Sequence, residues 1–108
     1  MIRICAAADL APGHLVSADV DGTPVAVVHA DNGQFYAVHD MCSHAAVALS
    51  EGELDGCTLE CWLHGSRFDL RTGKPSGLPA TEPVATFPVE IRDGDIYVEM
   101  IPSNGVTV

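Results

Sequence analysis

Val84-Ala85-Thr86-Phe87-Pro88-Val89-Glu90-Ile91-Arg92 is the stretch from which the fold is read. Ala85, Phe87, Val89 and Ile91 fall on one face and Thr86, Pro88, Glu90 and Arg92 on the other, the period of two that marks a half-buried strand. Pro88 has no N–H to give a neighbouring strand, so it sets an edge or a bulge. Asp93-Gly94 then reads as a turn, and 96–100 is again strand-like. The same alternation of short β-rich segments and turns continues outward. Residues 14–20, 25–29, 34–38, 58–60 and 67–69 are rich in β-branched or aromatic side chains. Ala11-Pro12-Gly13, Asp21-Gly22, Asp31-Asn32-Gly33, Asp55-Gly56 and Arg71-Thr72-Gly73 punctuate them. No segment has a helical pattern of useful length; 45–49 is a turn or so of apolar residues. The expectation is an all-β chain, an antiparallel sandwich or barrel. Pro75, Gly77, Pro79 and Pro83 make 74–83 an irregular loop, and 101–108 has no clear pattern.

The chain of 108 residues is one domain's length, and 1–108 is read as a single domain. Fifteen acidic residues against five Lys and Arg give a formal charge of -10, spread from Asp9 to Glu99, which argues against nucleic acid and anionic membranes as partners. With 47% hydrophobic and 19% charged residues the chain can build a packed core. The first residues lack the apolar run of a signal peptide, and no stretch approaches the roughly 18 apolar residues of a membrane span. A cytoplasmic location is expected. The thiols of Cys5, Cys42, Cys57 and Cys61 would then be reduced, as metal ligands or as core residues.

Two motifs carry the chemistry: Cys42-Ser43-His44 and Cys61-Trp62-Leu63-His64, separated by residues 45–60. Each pairs a thiolate with an imidazole in a loop that ends a strand-like segment. The hairpin Glu53-Leu54-Asp55-Gly56-Cys57-Thr58 between them would bring the loops together. Two thiolates and two imidazoles suit tetrahedral zinc or an iron-sulfur cluster. Structural zinc sites usually begin with paired cysteines in one loop. Here each loop supplies one sulfur and one nitrogen, which lets the cysteines take one iron and the histidines the other.

These residues resemble the Rieske family, whose signature of Cys-x-His, about sixteen residues and Cys-x-x-His is matched by Cys42, His44, Cys61 and His64. The likeness continues through Gly65-Ser66 and the loop at Leu78-Pro79-Ala80, and covers nearly the whole chain up to residue 100. The resemblance implies a Rieske-like β-sandwich or barrel with a small cluster-binding subdomain, whose loops are about 40–50 and 61–69. It implies one [2Fe-2S] cluster per chain, held by those four residues as metal ligands. The stretch 61–83 is similar to the small ferredoxins of ring-hydroxylating dioxygenase systems. They carry single electrons from a ferredoxin reductase to a terminal non-heme iron oxygenase and catalyse nothing alone. It is equally similar to stand-alone Rieske ferredoxins associated with iron-sulfur cluster assembly, a context in which redox sensing is the alternative role.

Departures from the respiratory branch of the family bear on potential. That branch has a disulfide between its cluster loops, where this chain has Val47 and Leu63. It has a tyrosine two residues after the loop serine, where Phe68 follows Ser66. Both changes point to a low potential. In the oxidised state two ferric ions, two sulfides, two thiolates and two neutral imidazoles sum to zero, which places the potential within roughly -150 to +300 mV. Cys5 and Cys57 are read as small core residues, His14, His29 and His39 as strand or surface residues, and Trp62 as packed over the cluster, the alternative being an aromatic edge at the docking surface. Arg67, Arg71 and Lys74 are either a docking spot or strand solubility, and the acidic remainder is the electrostatic handle.

Overall fold

A computed structural model describes residues 1–43, 47–63, 65–76 and 80–106. His44, His64, Gly77, Leu78, Pro79, Thr107 and Val108 lie outside the described residues, as do Ala45 and Ala46. Among the described residues ten strands run in the order β1 (Ile2–Ala6), β2 (His14–Val20), β3 (Thr23–His29), β4 (Phe35–His39), β5 (Leu54–Asp55), β6 (Thr58–Glu60), β7 (Arg67–Asp69), β8 (Thr86–Phe87), β9 (Val89–Arg92) and β10 (Asp95–Val98). Helical structure among the described residues is confined to two 3-10 turns, Ala7–Asp9 and Leu49–Glu51. No helix of the described residues is long and apolar enough to cross a membrane. The all-β, antiparallel expectation holds.

The central sheet is β2-β3-β4-β8, with a second sheet β1-β10-β9 and a third, β5-β6-β7. Short turns explain the central pairing. Asp21 and Gly22 both take positive φ between β2 and β3, which brings Val20 opposite Thr23 and His14 opposite His29. The next strand, β3, has no polar face. Val25, Ala26, Val27 and Val28 are all fully buried. Val25 and Val27 point into one core with Phe87, Ile96 and Val98. Ala26 and Val28 point into another with Val38, Leu59 and Phe68. The central sheet is thus covered on both faces.

Besides shifts of one or two residues at the ends of β3, β4 and β10, two larger differences from the sequence reading stand out. Residues 84–92 do not form one strand, because at Pro88 the chain leaves the central sheet and enters the second one. β8 pairs with β4, and β9 pairs with β10. The alternation runs unbroken through this crossing, so periodicity alone hides it. Strand β1 carries too few β-forming residues to stand out, yet it pairs with β10 from Ile2 opposite Val98 to Ala6 opposite Asp95.

The patternless tail is a clasp. The Asn104 side-chain amide donates to the carbonyls of Thr72 and Val84, both at 2.9 Å, and its oxygen accepts from the N–H groups of Thr86 and Val106, both at 3.2 Å. Ser103 joins the buried Thr86 hydroxyl at 2.7 Å. Thr72 and Val84 flank the proline-containing loop, so one side chain ties its two ends together. Replacing Asn104 with Ala should cost about 1–3 kcal/mol of unfolding free energy, since it leaves partly buried backbone groups unpaired. Denaturant titration measures that loss, and hydrogen exchange should accelerate over residues 80–86 before it does in β3.

Candidate metal centre

Three loops converge on the core beneath the third sheet. The first leaves β4 and carries Cys42. The second joins β6 to β7 and begins with Cys61. The third is the proline-containing loop, which returns at Ala80 and Val84. Cys42 and Cys61 are 3% and 0% exposed and share one contiguous apolar core with Leu49, Leu59, Phe68, Ala80 and Val84. The hairpin predicted between the motifs is present: Leu54 pairs with Leu59, and Leu59 with Phe68.

Backbone hydrogen bonds fix each loop. The Cys42 N–H donates to the Val47 carbonyl at 2.9 Å. Cys61 N–H donates to Ser66 O at 2.7 Å, and Gly65 N–H donates back to Cys61 O at 2.9 Å. Gly65 has φ 77, a left-handed conformation that glycine adopts without strain. The loops are also tied to the third one. Ser66 Oγ, buried, accepts the Ala80 N–H at 3.1 Å, and Ser43 Oγ donates to the Glu82 carbonyl at 2.6 Å. Gly52 supplies a close approach, since a Cβ there would overlap the Glu60 carbonyl that immediately precedes Cys61.

Of the four sequence-predicted ligands, the structure brings Cys42 and Cys61 into one buried core; His44 and His64 lie outside the described residues. Among the described residues no group of three or more His, Cys, Asp or Glu side chains is gathered as a metal site. The donor chemistry nevertheless fits an iron-sulfur group. Two soft thiols are enclosed by apolar side chains, each at the start of a hydrogen-bonded loop, and each motif places a histidine two or three residues further on. The other two cysteines lie elsewhere. Cys5 packs in the opposite core, where burial and then Asp9 push its thiol pKa up. Cys57 sits in the β5–β6 turn and accepts a hydrogen bond from Asn32 at 3.3 Å.

The surface around the loops bears on two readings that the sequence left open. Trp62 is 52% exposed rather than packed over the core, and with Met41 and Leu63, also exposed, it puts an apolar side chain beside each buried cysteine. Arg67 and Arg71 are not a free basic spot. Arg67 pairs with Asp55 at 2.8 Å and reaches Glu60 at 3.8 Å, and Arg71 pairs with Asp69 at 3.1 Å. The Arg71 hydrogen bonds hold the Asp69 carboxyl below its usual pKa. His39, at the end of β4, is half-buried, and burial pushes its imidazole pKa down. His29 lies on β3, with Nδ1 2.8 Å from the Leu10 carbonyl and its ring stacked on Phe35. The side chain that sequence reading missed is Asp40, a buried carboxylate two residues before Cys42.

The chain matches the Rieske [2Fe-2S] domain family over residues 1–88. It is 40% identical over 97 residues to ferredoxin CarAc of Metapseudomonas resinovorans, covering 90% of this chain and 91% of that one. It is 42% identical over 100 residues to the 3-phenylpropionate/cinnamic acid dioxygenase ferredoxin subunit of Escherichia coli K12, covering 92% of each. A solved complex of reduced oxygenase and oxidized ferredoxin in carbazole 1,9a-dioxygenase contains a chain of the same fold. The TM-score is 0.84 at 42% identity, over 91% of this chain and 100% of that one.

Phe68 is 1% exposed and lies in the same core as both cysteines. It offers no hydroxyl, so the wild-type potential should be near about -150 mV, the low end of the Rieske range. Phe68→Tyr should raise it by adding a hydrogen bond to a cysteine sulfur. Protein-film voltammetry on both forms checks this, and a wild-type value well above zero would contradict it.

Proposed function

The chain belongs to the Rieske [2Fe-2S] domain family, and from that premise we propose that Cys42, His44, Cys61 and His64 hold its single [2Fe-2S] cluster. We propose further that its electrons pass from a ferredoxin reductase to the terminal oxygenase of a ring-hydroxylating dioxygenase system, in the cytoplasm. The chain is an electron carrier and not itself an enzyme, as its relatives are ferredoxin components of dioxygenases. The observation that carries the ligand reading is the burial of Cys42 and Cys61 in one core, each opening a motif that ends in histidine. When bound, the cluster supplies a one-electron redox couple in which neutral imidazoles in place of thiolates keep the oxidised charge at zero.

The residues around it make a carrier of that couple. Leu49, Leu59 and Phe68 exclude water from the cysteine side. Loop hydrogen bonds hold the two thiols in place, so little reorganisation accompanies a change of charge. Met41, Trp62 and Leu63 offer an exposed apolar rim beside the loops. A brief contact needs little more: a small patch for docking and a net charge of -10 to steer a basic partner. The four arginines are each engaged with a carboxylate, which leaves the acidic surplus as the long-range field. The dioxygenase reading is supported by the similar ferredoxin solved in complex with an oxygenase.

Two experiments test these readings. Alanine at Cys42, His44, Cys61 or His64 should abolish or severely reduce the visible absorption of the cluster, while Cys5→Ala and Cys57→Ala should leave it intact. A dispensable His64 with an essential Cys57 would reverse the ligand assignment. Stopped-flow reduction by a cognate reductase should slow several-fold as ionic strength rises past about 0.1 M, where the screening length falls to about 10 Å. Glu82→Lys, beside the first loop, should change that rate more than Asp93→Lys in the β9–β10 turn. Equal effects, or no salt dependence, would contradict docking at the cluster end.

A further inference from the structure

Asp40 is a carboxylate with 3% exposure, and no lysine or arginine among the described residues forms an ion pair with it. Its charge is instead held by hydrogen bonds. Oδ2 accepts the Ser17 and Ser50 hydroxyls, each at 2.6 Å, and Oδ1 accepts the Ser50 N–H at 2.7 Å. Three donors converge on two oxygens, a set that suits an ionised carboxylate. Its own N–H donates to Pro24 O at 2.9 Å. The group therefore joins β2, β3 and the 3-10 turn Leu49–Glu51 to the chain just before it enters the first cluster loop. Leu49, next to Ser50, is fully buried in the core that contains Cys42 and Cys61.

Burying a charge without a counter-ion is costly, and an amide of the same shape would avoid most of that cost. With Asn in place of Asp, the serine hydroxyls could turn to accept from Nδ2, so the knot itself does not require a charge. In a chain whose formal charge is -10, Asp40 included, a buried negative group adds self-repulsion. What the charge provides, and an amide does not, is a fixed negative potential two residues from Cys42.

We propose that Asp40 is a potential-setting residue: its buried carboxylate, two residues from Cys42, opposes addition of an electron to the cluster and holds the reduction potential low. The effect is electrostatic, and the serines partly offset it by turning their O–H dipoles toward the carboxylate. This inference rests on Cys42 as a ligand. It goes beyond the family resemblance because it concerns a side chain outside the Cys-x-His and Cys-x-x-His motifs.

The test compares two variants that alter the same hydrogen-bonded knot but change its electrostatics in opposite directions. Asp40→Asn removes the charge and should favour reduction by at least about tenfold in equilibrium constant, which is 59 mV for one electron. The electron paramagnetic resonance g values should be unchanged, showing intact ligation. Ser17→Ala keeps the charge and removes a donor that offsets it, so the potential should fall. A merely structural role would move both variants the same way. An unchanged potential in Asp40→Asn with its cluster intact, or shifts of the same sign, would overturn the proposal. Should Asp40→Asn shed its cluster, Ser17→Ala decides alone: a lower potential upholds the proposal, and an equal or higher one overturns it. Failure of the ligand assignment is read separately, from a cluster that survives Cys42→Ala.

Discussion

Burial of both faces of β3 is the constraint from which the rest follows. A strand whose successive residues Val25, Ala26, Val27 and Val28 are all fully buried cannot sit in a sheet with one wet face. One side is covered by β10 through Ile96 and Val98. The other side must be covered too, and the short sheet β5-β6-β7 does so with Leu59 and Phe68. Full burial of a side chain of this size contributes about 1.5–3 kcal/mol. Packing on β3 thus fixes the strands that flank the second cysteine loop. Cys42 and Cys61, the two proposed thiolate ligands, lie in a core that the fold needs in any case.

Polar groups in this second core have specific partners, and each partner joins two segments. Ser66 receives the N–H of Ala80 and so ties the second loop to the third. Asp40 joins Ser17 and Ser50 to the start of the first loop. Asn104 closes the base of the third loop from a segment beyond the last strand. Among the described residues no buried side-chain nitrogen or oxygen lacks a hydrogen-bond partner. A centre that must change charge without moving its ligands benefits from satisfied, rigid surroundings, because reorganisation of loose dipoles would slow electron transfer. Met41, Trp62 and Leu63 are exposed on the same loops, where the proposed docking would take place.

Much of the fold was legible because its turns are chemically explicit. Segments 14–20, 58–60 and 67–69 coincide with β2, β6 and β7, each bounded nearby by Gly, Pro, Asp or Asn. What escaped depends on tertiary context. The unbroken alternation through Pro88 conceals a change of sheet, and the exposure of Trp62 depends on where its loop ends, not on the residue's hydrophobicity. The run Val25–Val28 signalled a strand but carried further information, since absence of alternation foretells a core on each side. At the site, the motif spacing singled out Cys42 and Cys61. Asp40 could not be found this way: it is one of fifteen acidic residues, and its partners Ser17 and Ser50 lie 23 and 10 residues away.

Two loops opening with Cys42 and Cys61 are each proposed to contribute one thiolate and one imidazole to a single cluster. Pulsed electron-nuclear double resonance on the reduced protein, grown with 15N-histidine, tests this most directly. The account predicts two strongly coupled 15N nuclei, with one lost from the spectrum or the whole signal abolished in His44→Cys and in His64→Cys. Strong coupling to one nitrogen or to none in the wild-type protein would contradict it.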